Sequence, residues 1–217
     1  MTDTTHHAAR QHSALDLMLA SFGDGLKSLA AAGESQRPRP RAAEAALTDA
    51  ERAEAASLMR VNHAGEVAAQ GLYHGQALMA RDPLVRRQLL AAAREEQDHL
   101  HWCAARLPEL GDGPSKLTPL WYGASAAIGA LAGLRGDTVS LGFVAETERQ
   151  VSAHLGEHLH RLPAADGASR AVVEAMKRDE ERHGREALDA GGQLPPAPIR
   201  GLMQLVANVM KFGAARI

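Results

Sequence analysis

Two segments of the chain contain the pattern Glu-x-x-His: Glu96 with His99, and Glu180 with His183. Residues i and i+3 lie on the same face of an α-helix, so each pair presents a carboxylate and an imidazole in one direction. Di-iron carboxylate proteins of the bundle type use two such pairs, together with a single inward glutamate from each of two further helices. The two pairs therefore predict half of a dinuclear metal site.

Two single glutamates, Glu66 and Glu148, can supply the other half. The single glutamates are 82 residues apart, and the two Glu-x-x-His pairs are 84 residues apart. The same ligand order thus occurs twice at a nearly constant offset, which predicts two helix pairs arranged around one centre. The predicted metal ligands are Glu66, Glu96, His99, Glu148, Glu180 and His183, and we predict no catalytic residue separate from them.

A third match, Glu157 with His160, is excluded by its surroundings. Random placement predicts about one Glu-x-x-His match in a chain of this composition. The helical neighbours of Glu157 include His154 and Arg161, a polar face, whereas apolar residues flank the other two pairs. We therefore predict that Glu157 and His160 are on the surface.

Carboxylates in an apolar helix face need compensating charge, because an unpaired buried carboxylate costs several kcal/mol or takes up a proton. Two iron ions would balance the negative charge of four carboxylates and would also bind two neutral imidazoles. A purely structural cluster would need cationic partners instead. Arg94 and Arg178 lie two residues before the pairs and so point elsewhere on their helices, which favours the metal.

Two nearby residues are weaker candidates. Glu146 competes with Glu148, but it shares its face with Arg149, so we prefer Glu148 as the ligand. Cys103 lies one turn beyond His99, and we interpret it as a small buried apolar side chain.

Composition and the helical segments predict an all-α protein whose body is a bundle of four long helices, with additional short helices. The chain has 217 residues, 3% aromatic residues and a net charge of −2. Few aromatics disfavour a β-sandwich, and the charge gives no reason to expect a nucleic-acid partner. The single cysteine excludes a disulfide framework and fits a reducing compartment.

Capping signals predict where the helices begin. Thr48-x-x-Glu51 is a capping box, and both Asp82-Pro83 and Thr118-Pro119 place proline directly after an N-cap residue. The predicted helices cover residues 14–32, 48–80, 82–106, 118–134, 137–161, 167–190 and 199–217. We predict an N-terminal appendage and Pro-rich linker at 1–47, with the linker at 34–43, and one domain at 48–217.

Three segments resemble the demethoxyubiquinone hydroxylase family, a branch of the ferritin-like di-iron carboxylate superfamily. They are residues 58–69, which include Asn62-His63-Ala64-Gly65-Glu66, and the segments Glu95–His99 and Asp179–His183. The resemblance covers the chain from about Thr48 to its end. It implies an all-α, ferritin-like four-helix bundle with additional short, partly membrane-facing helices. It also implies a di-iron monooxygenase that uses molecular oxygen to hydroxylate the ring of 2-polyprenyl-3-methyl-6-methoxy-1,4-benzoquinol in ubiquinone biosynthesis.

The resemblance also implies a role for each ligand. One iron would be bound by Glu66, Glu96 and His99, and the other by Glu148, Glu180 and His183, with Glu96 and Glu180 bridging. His154 matches a family position near the centre, and Leu155 stands where some relatives have tyrosine. The sequence lacks a glycine-rich dinucleotide-binding fingerprint, so we expect an external electron donor.

The apolar segments 117–134 and 199–217 predict peripheral attachment to a membrane surface, because both are too short or too interrupted to be confident spans. With a polyprenyl substrate, we expect the chain at the cytoplasmic side of the cell inner membrane, as a homo-oligomer or with other ubiquinone-biosynthesis proteins. The alternatives are a ferritin-like ferroxidase or iron-storage protein and a non-enzymatic helical lipid-binding protein. Metal analysis and sizing without detergent distinguish them.

Overall fold

Every regular element in the described part of the chain is an α-helix. The computed structural model describes Gly23 and residues 35–217. The helices are α1 (Asp49–Met79), α2 (Pro83–Glu109), α3 (Thr118–Leu134), α4 (Asp137–Arg161), α5 (Gly167–Asp189) and α6 (Ala197–Ala214). The predicted all-α class is confirmed, and the predicted helix at 14–32 lies outside the described residues.

The first two helices begin at their predicted caps. At α1 the Glu51 amide donates to Thr48 Oγ1, and the Glu51 carboxylate accepts from the Thr48 amide at 2.9 Å. At α2 the Asp82 carboxylate accepts from the Leu84 amide at 2.7 Å, with Pro83 in the first helical position. These bonds satisfy amides that the first turn of a helix leaves without partners.

The start of α3, the end of α2 and both ends of α6 differ from the prediction. Helix α6 begins two residues earlier than predicted, because proline is tolerated in the first turn of a helix, and it ends at Ala214. Thr118 is not the N-cap of α3: Leu117 takes that position, and the Thr118 hydroxyl donates to the carbonyl of Ser115 in the preceding loop. Helix α2 continues past its predicted end at Arg106, and Pro108 lies within its last turn. The Arg106 side chain explains the continuation, because it is buried and forms an ion pair with Glu109 at the end of the helix.

The helices form two antiparallel pairs, α1 with α2 and α4 with α5, and α3 makes the long connection between the pairs while it packs along α1. Two apolar clusters lie between the pairs. One contains Met59, Leu107 and Leu155, and the other contains Leu89 and Leu141. The space between these clusters is where the polar site residues meet.

Helix α3 packs against α1 through glycine. A side chain at Gly129 would lie 2.2 Å from the Leu72 carbonyl oxygen, and one at Gly75 would lie 2.1 Å from the Ala126 carbonyl oxygen. The opposite face of α3 exposes Leu120, Leu131 and Leu134. No helix in the described residues is long and apolar enough to cross a bilayer.

Residues 35–43, within the predicted linker, form neither helix nor strand and are bonded to the bundle. The Arg39 guanidinium donates to Glu109 at 2.7 Å, and Arg37 reaches Asp98 and Asp179. Glu44, just after this segment, pairs with the buried Arg106. The division into an appendage and one domain stays a prediction.

Candidate metal centre

Four helices bring the six predicted ligands to one level of the bundle. Helix α1 supplies one, α2 two, α4 one and α5 two, and each has a relative exposure of 4% or less. They are Glu66, Glu96, His99, Glu148, Glu180 and His183. Single ligand atoms from Glu66, Glu96, His99 and Glu180 all lie within 4.8 Å of one another. Their role as ligands stays a prediction, but the convergence is a feature of the structure.

Glu96 and Glu180 lie between the two histidines. Glu96 places Oε2 at 2.8 Å from His99 Nδ1 and Oε1 at 3.0 Å from His183 Nδ1. Glu180 places Oε1 at 3.1 Å from His99 Nδ1 and Oε2 at 3.4 Å from His183 Nδ1. Each glutamate thus presents one oxygen to each histidine, which is the arrangement that a carboxylate needs to bridge two metal ions.

The outer two glutamates lie on either side of this group. Glu66 Oε2 is 3.6 Å from His99 Nδ1. Glu148 interacts electrostatically with Glu96, Glu180 and His183, and it accepts a hydrogen bond from the Tyr73 hydroxyl. The structure therefore assigns one outer glutamate to the side of each histidine.

The donor atoms of this group fit a pair of cations. Both oxygens of Glu180, Oε1 of Glu96 and Nδ1 of His183 are buried without a hydrogen bond of acceptable geometry, although the ion-pair distances between them are short. These oxygen and nitrogen atoms lie close together but are not aligned to hydrogen-bond with one another, as expected for atoms that face a common metal position. Carboxylate oxygen and imidazole nitrogen are the donors that non-haem iron sites use.

In the metal-free cluster, protonation of the side chains balances their charges. Burial raises the pKa of Glu66 and Glu148 well above the usual carboxyl range. Burial acts on Glu96 in the same direction, but His99 and His183 outweigh it and hold the pKa of Glu96 well below that range. Burial lowers the pKa of His183, yet its contacts with Glu180 and Glu96 prevail and raise it to about 12. Protonated histidines thus supply the positive charge that cations would supply.

The other ring nitrogen of each histidine faces a second carboxylate. His99 Nε2 is 3.0 Å from Asp179 Oδ2, and His183 Nε2 is 3.4 Å from Glu95 Oε2. Each of these carboxylates comes from the helix that carries the other histidine. A carboxylate behind a metal-binding imidazole fixes its tautomer and ring orientation, so the two Glu-x-x-His helices orient each other's histidines.

A small cavity between α2 and α5 extends from the surface to His183 and Tyr73, with Leu89 and Glu95 in its walls. Its volume is about 70 Å³. Because a water molecule occupies roughly 30 Å³ in the liquid and ordinary ligand pockets hold roughly 300 Å³ or more, the cavity has room for small molecules of the size of water but not for an aromatic ring.

The residues that the sequence analysis rejected as metal ligands do not take part in the cluster. Glu157 and His160 are exposed, as expected from their polar face. Glu146 is buried, but its carboxylate accepts from Arg149 and Gln150. Cys103 is fully buried with Sγ 3.8 Å from the sulfur of Met176, which confirms the interpretation as a small core side chain.

Comparison with known proteins places this centre in a family. A sequence profile described as "Ubiquinone biosynthesis protein COQ7" matches residues 53–214. The chain belongs to the COQ7 family. A protein of Cupriavidus necator, named 3-demethoxyubiquinol 3-hydroxylase, is 55% identical over 94% of this chain and 100% of its own length. One of the same name from Xanthomonas oryzae pv. oryzae is 52% identical over 100% of both chains.

A solved structure supports the fold of the COQ7 family chain. The dodecameric thioferritin of Bacteroides fragilis superposes with a TM-score of 0.53 over 62% of this chain and 82% of its own, at 19% sequence identity. At that identity the likeness shows the fold alone. The ferritin-like bundle predicted from sequence is confirmed.

Sequence reasoning missed four residues that bear on the centre. Glu95 and Asp179 each precede a Glu-x-x-His glutamate by one residue, and they are 84 residues apart, the same offset as the ligand pairs. That offset is a signal that could have identified them. Tyr73 shares α1 with Glu66, but its contact with Glu148 crosses to another helix, and Arg37 reaches the site from a distant segment, so neither contact has a signal in the local sequence.

Proposed function

We propose that this chain is a di-iron monooxygenase that hydroxylates the ring of 2-polyprenyl-3-methyl-6-methoxy-1,4-benzoquinol in ubiquinone biosynthesis. The observation that carries the proposal is the placement of Glu96 and Glu180, each with one oxygen toward each of two buried histidines. Full-length relatives named 3-demethoxyubiquinol 3-hydroxylase support the reaction and the substrate class.

Two iron ions held by the six residues would supply the redox chemistry that activates molecular oxygen. Glu66 and His99 would hold one ion, Glu148 and His183 the other, and Glu96 and Glu180 both. The apolar clusters above and below separate the centre from bulk solvent, apart from the small cavity beside His183. Exclusion of water strengthens electrostatic interactions inside a site and suppresses side reactions.

Metal reconstitution tests the proposal. Metal-free protein should be inactive, and Fe(II) with a reductant, oxygen and a short-chain quinol substrate should restore hydroxylation at about two irons per chain. Glu96→Gln should lose activity, because one bridging carboxylate is removed. The matched control is Glu157→Gln on the exposed face of α4, which should retain full activity.

Two results would contradict this function. Hydroxylation by metal-free protein would exclude iron as the cofactor. Uptake and oxidation of many irons per chain without hydroxylation would favour the storage alternative.

The proposal includes peripheral attachment to the cytoplasmic face of the inner membrane, and an external electron donor. Helix α6 exposes a row of apolar side chains, among them Leu205, Val209 and Phe212. The end of α6 packs beside Trp121 at the start of α3, so these two helices, which both expose apolar side chains, meet at one end. Exposed apolar side chains of this kind suit an interface where a polyprenyl tail is dissolved.

A further inference from the structure

A short strap of residues 35–37 is fastened to α2 behind the metal centre. The anchor is the carboxylate of Asp98, which is 1% exposed. Asp98 accepts hydrogen bonds from the Ser35 hydroxyl, the Gln36 amide at 2.6 Å, the Arg37 amide and the Arg37 guanidinium at 2.9 Å. Four donors from three consecutive residues fix the strap in one position.

This anchoring places the Arg37 guanidinium directly behind His99. Arg37 donates to Asp179 Oδ2 at 2.8 Å, and that same oxygen lies 3.0 Å from His99 Nε2. The guanidinium also lies 4.9 Å from the ring centre of Trp102, whose indole nitrogen donates to the Arg37 carbonyl. Arg37 therefore bridges α2 and α5 and holds the carboxylate that orients His99.

His183 also has a carboxylate behind it that is held by an arginine, but this arginine is close in sequence. Glu95, which faces His183, pairs with Arg182 on α5, the residue next to His183 itself. Arg182 also reaches Asp179, but through Oδ1 at 3.2 Å rather than through the oxygen that faces His99. The orientation of His183 thus depends on residues inside the bundle, whereas that of His99 depends on a residue that precedes it by 62 positions.

We propose that Arg37 is a positioning residue for the half of the metal centre that contains His99. It acts through Asp179 and through its own contact with His99, where Arg37 Nη2 lies 3.3 Å from His99 Nε2. The strap and Asp98 hold it in place. The inference rests on the proposed function, since it concerns iron held by His99. It also extends the functional unit beyond the family profile, whose match begins at residue 53.

Iron retention tests the proposal. Fully loaded wild-type protein, Arg37→Gln, Arg37→Lys and Asp98→Asn are incubated with a ferrous chelator, and the iron per chain is followed with time. We expect Arg37→Gln and Asp98→Asn to lose the first iron about 10- to 100-fold faster than wild type, the range typical of residues behind metal ligands. Arg37→Lys should recover part of the difference, because it keeps the charge but not the two-armed geometry.

The matched control is Arg39→Gln, which removes a guanidinium two residues along the same segment that pairs with Glu109, away from the centre. Melting temperatures of the metal-free forms show whether either substitution simply loosens the fold. Wild-type retention in Arg37→Gln, or equal loss in Arg39→Gln, would overturn the positioning role alone. A wild-type protein that takes up no iron would overturn the proposed function as well.

Discussion

The Tyr73 hydroxyl donates a hydrogen bond of 2.6 Å to Oε1 of Glu148, across the interface between α1 and α4. Both side chains are buried, with exposures of 1% and 2%. A short bond from a neutral donor to a buried carboxylate stabilises its charged form and restricts its rotation. Tyr73 thus fixes the outer glutamate on the side of His183.

Removing the Tyr73 hydroxyl should weaken the reaction without removing the metal. In Tyr73→Phe, Glu148 loses its one hydrogen-bond donor from the protein among the described residues. We expect about two irons per chain and a hydroxylation rate lower by about ten-fold, the lower end of the effects of residues behind metal ligands. Iron analysis and turnover of the same preparation measure both.

Tyr122→Phe is the control, because Tyr122 is the other tyrosine in the chain and its hydroxyl lies 2.9 Å from His74 on the side of α1 that faces α3. Its turnover should stay within about two-fold of wild type. Equal rates for Tyr73→Phe and wild type would show that the bond has no part in the reaction.

The contact between α1 and α3 leaves no room for a side chain at Gly129. Gly129→Ala would place a methyl group 2.2 Å from a backbone oxygen of α1. Overpacking of this kind costs about 1–3 kcal/mol of unfolding free energy, and in a chain of this size each kcal/mol lowers the melting temperature by about 2–4 °C. Thermal unfolding by circular dichroism measures the loss.

A substitution at Gly123, in the same helix, should increase the unfolding free energy, because a methyl group there would meet nothing within 4 Å. Gly123→Ala should raise the unfolding free energy by about 0.5–1 kcal/mol, because alanine loses less conformational entropy in a helix. The close packing of α3 on α1 would be disproved if the two variants shifted stability in the same direction.

Iron uptake should release protons. The metal-free form holds His183 with a pKa of about 12 and His99 with a pKa well above its usual value, so both are protonated at pH 7. Metal-bound imidazole must be neutral at the binding nitrogen, and loading both ions therefore displaces at least these two protons. Raising the pH should strengthen binding and lowering it should weaken binding.

A dye-based measurement in weak buffer at pH 7 counts the protons released per chain. The release per chain should fall by about two protons in the double variant His99→Ala and His183→Ala, while Glu66 and Glu148, whose pKa values are raised by burial, still give up theirs. Release of less than one proton, or an iron affinity that does not change between pH 6 and pH 8, would contradict this charge assignment.

The exposed face of α6 should determine membrane binding. Leu205 and Val209 are each 60% exposed in this helix. Replacing both by glutamate should reduce binding to vesicles that contain phosphatidylglycerol by at least about ten-fold, because burial of such side chains contributes roughly 1.5–3 kcal/mol each. Co-sedimentation with vesicles gives the bound fraction.

Leu84→Glu, at an equally exposed leucine at the start of α2, controls for added charge and should bind like wild type. If the double variant binds as well as wild type, α6 is not the attachment surface.

The sequence was most informative where a residue's role depends on its own helix. Periodicity and capping placed the helices, and the doubled Glu-x-x-His pattern identified six side chains that the structure brings together. The burial of Glu66 could not be derived as firmly, because its helical neighbours include His63 and Gln70, both polar. Those two prove to be buried as well: burial lowers the pKa of His63 to about 4, and Gln70 donates to the Ala93 carbonyl.

What the sequence could not show depends on contacts between distant segments. A stretch with alternating prolines predicts only that no helix forms there, and nothing in it indicates that Arg37 reaches a helix 142 positions further on. The Thr118 boundary failed for a related reason, because a hydroxyl that can cap a helix can equally donate to a loop carbonyl, and only the folded loop decides between them.

The placement of Glu96 and Glu180 has a consequence for the two halves of the chain. Each histidine has carboxylate neighbours from both helix pairs, so the two halves of the chain share the centre. A fragment that ended before α4 would keep Glu66, Glu96 and His99 but would lose Glu180, one of the two carboxylates placed between the histidines. Neither half of the chain therefore holds the centre independently of the other.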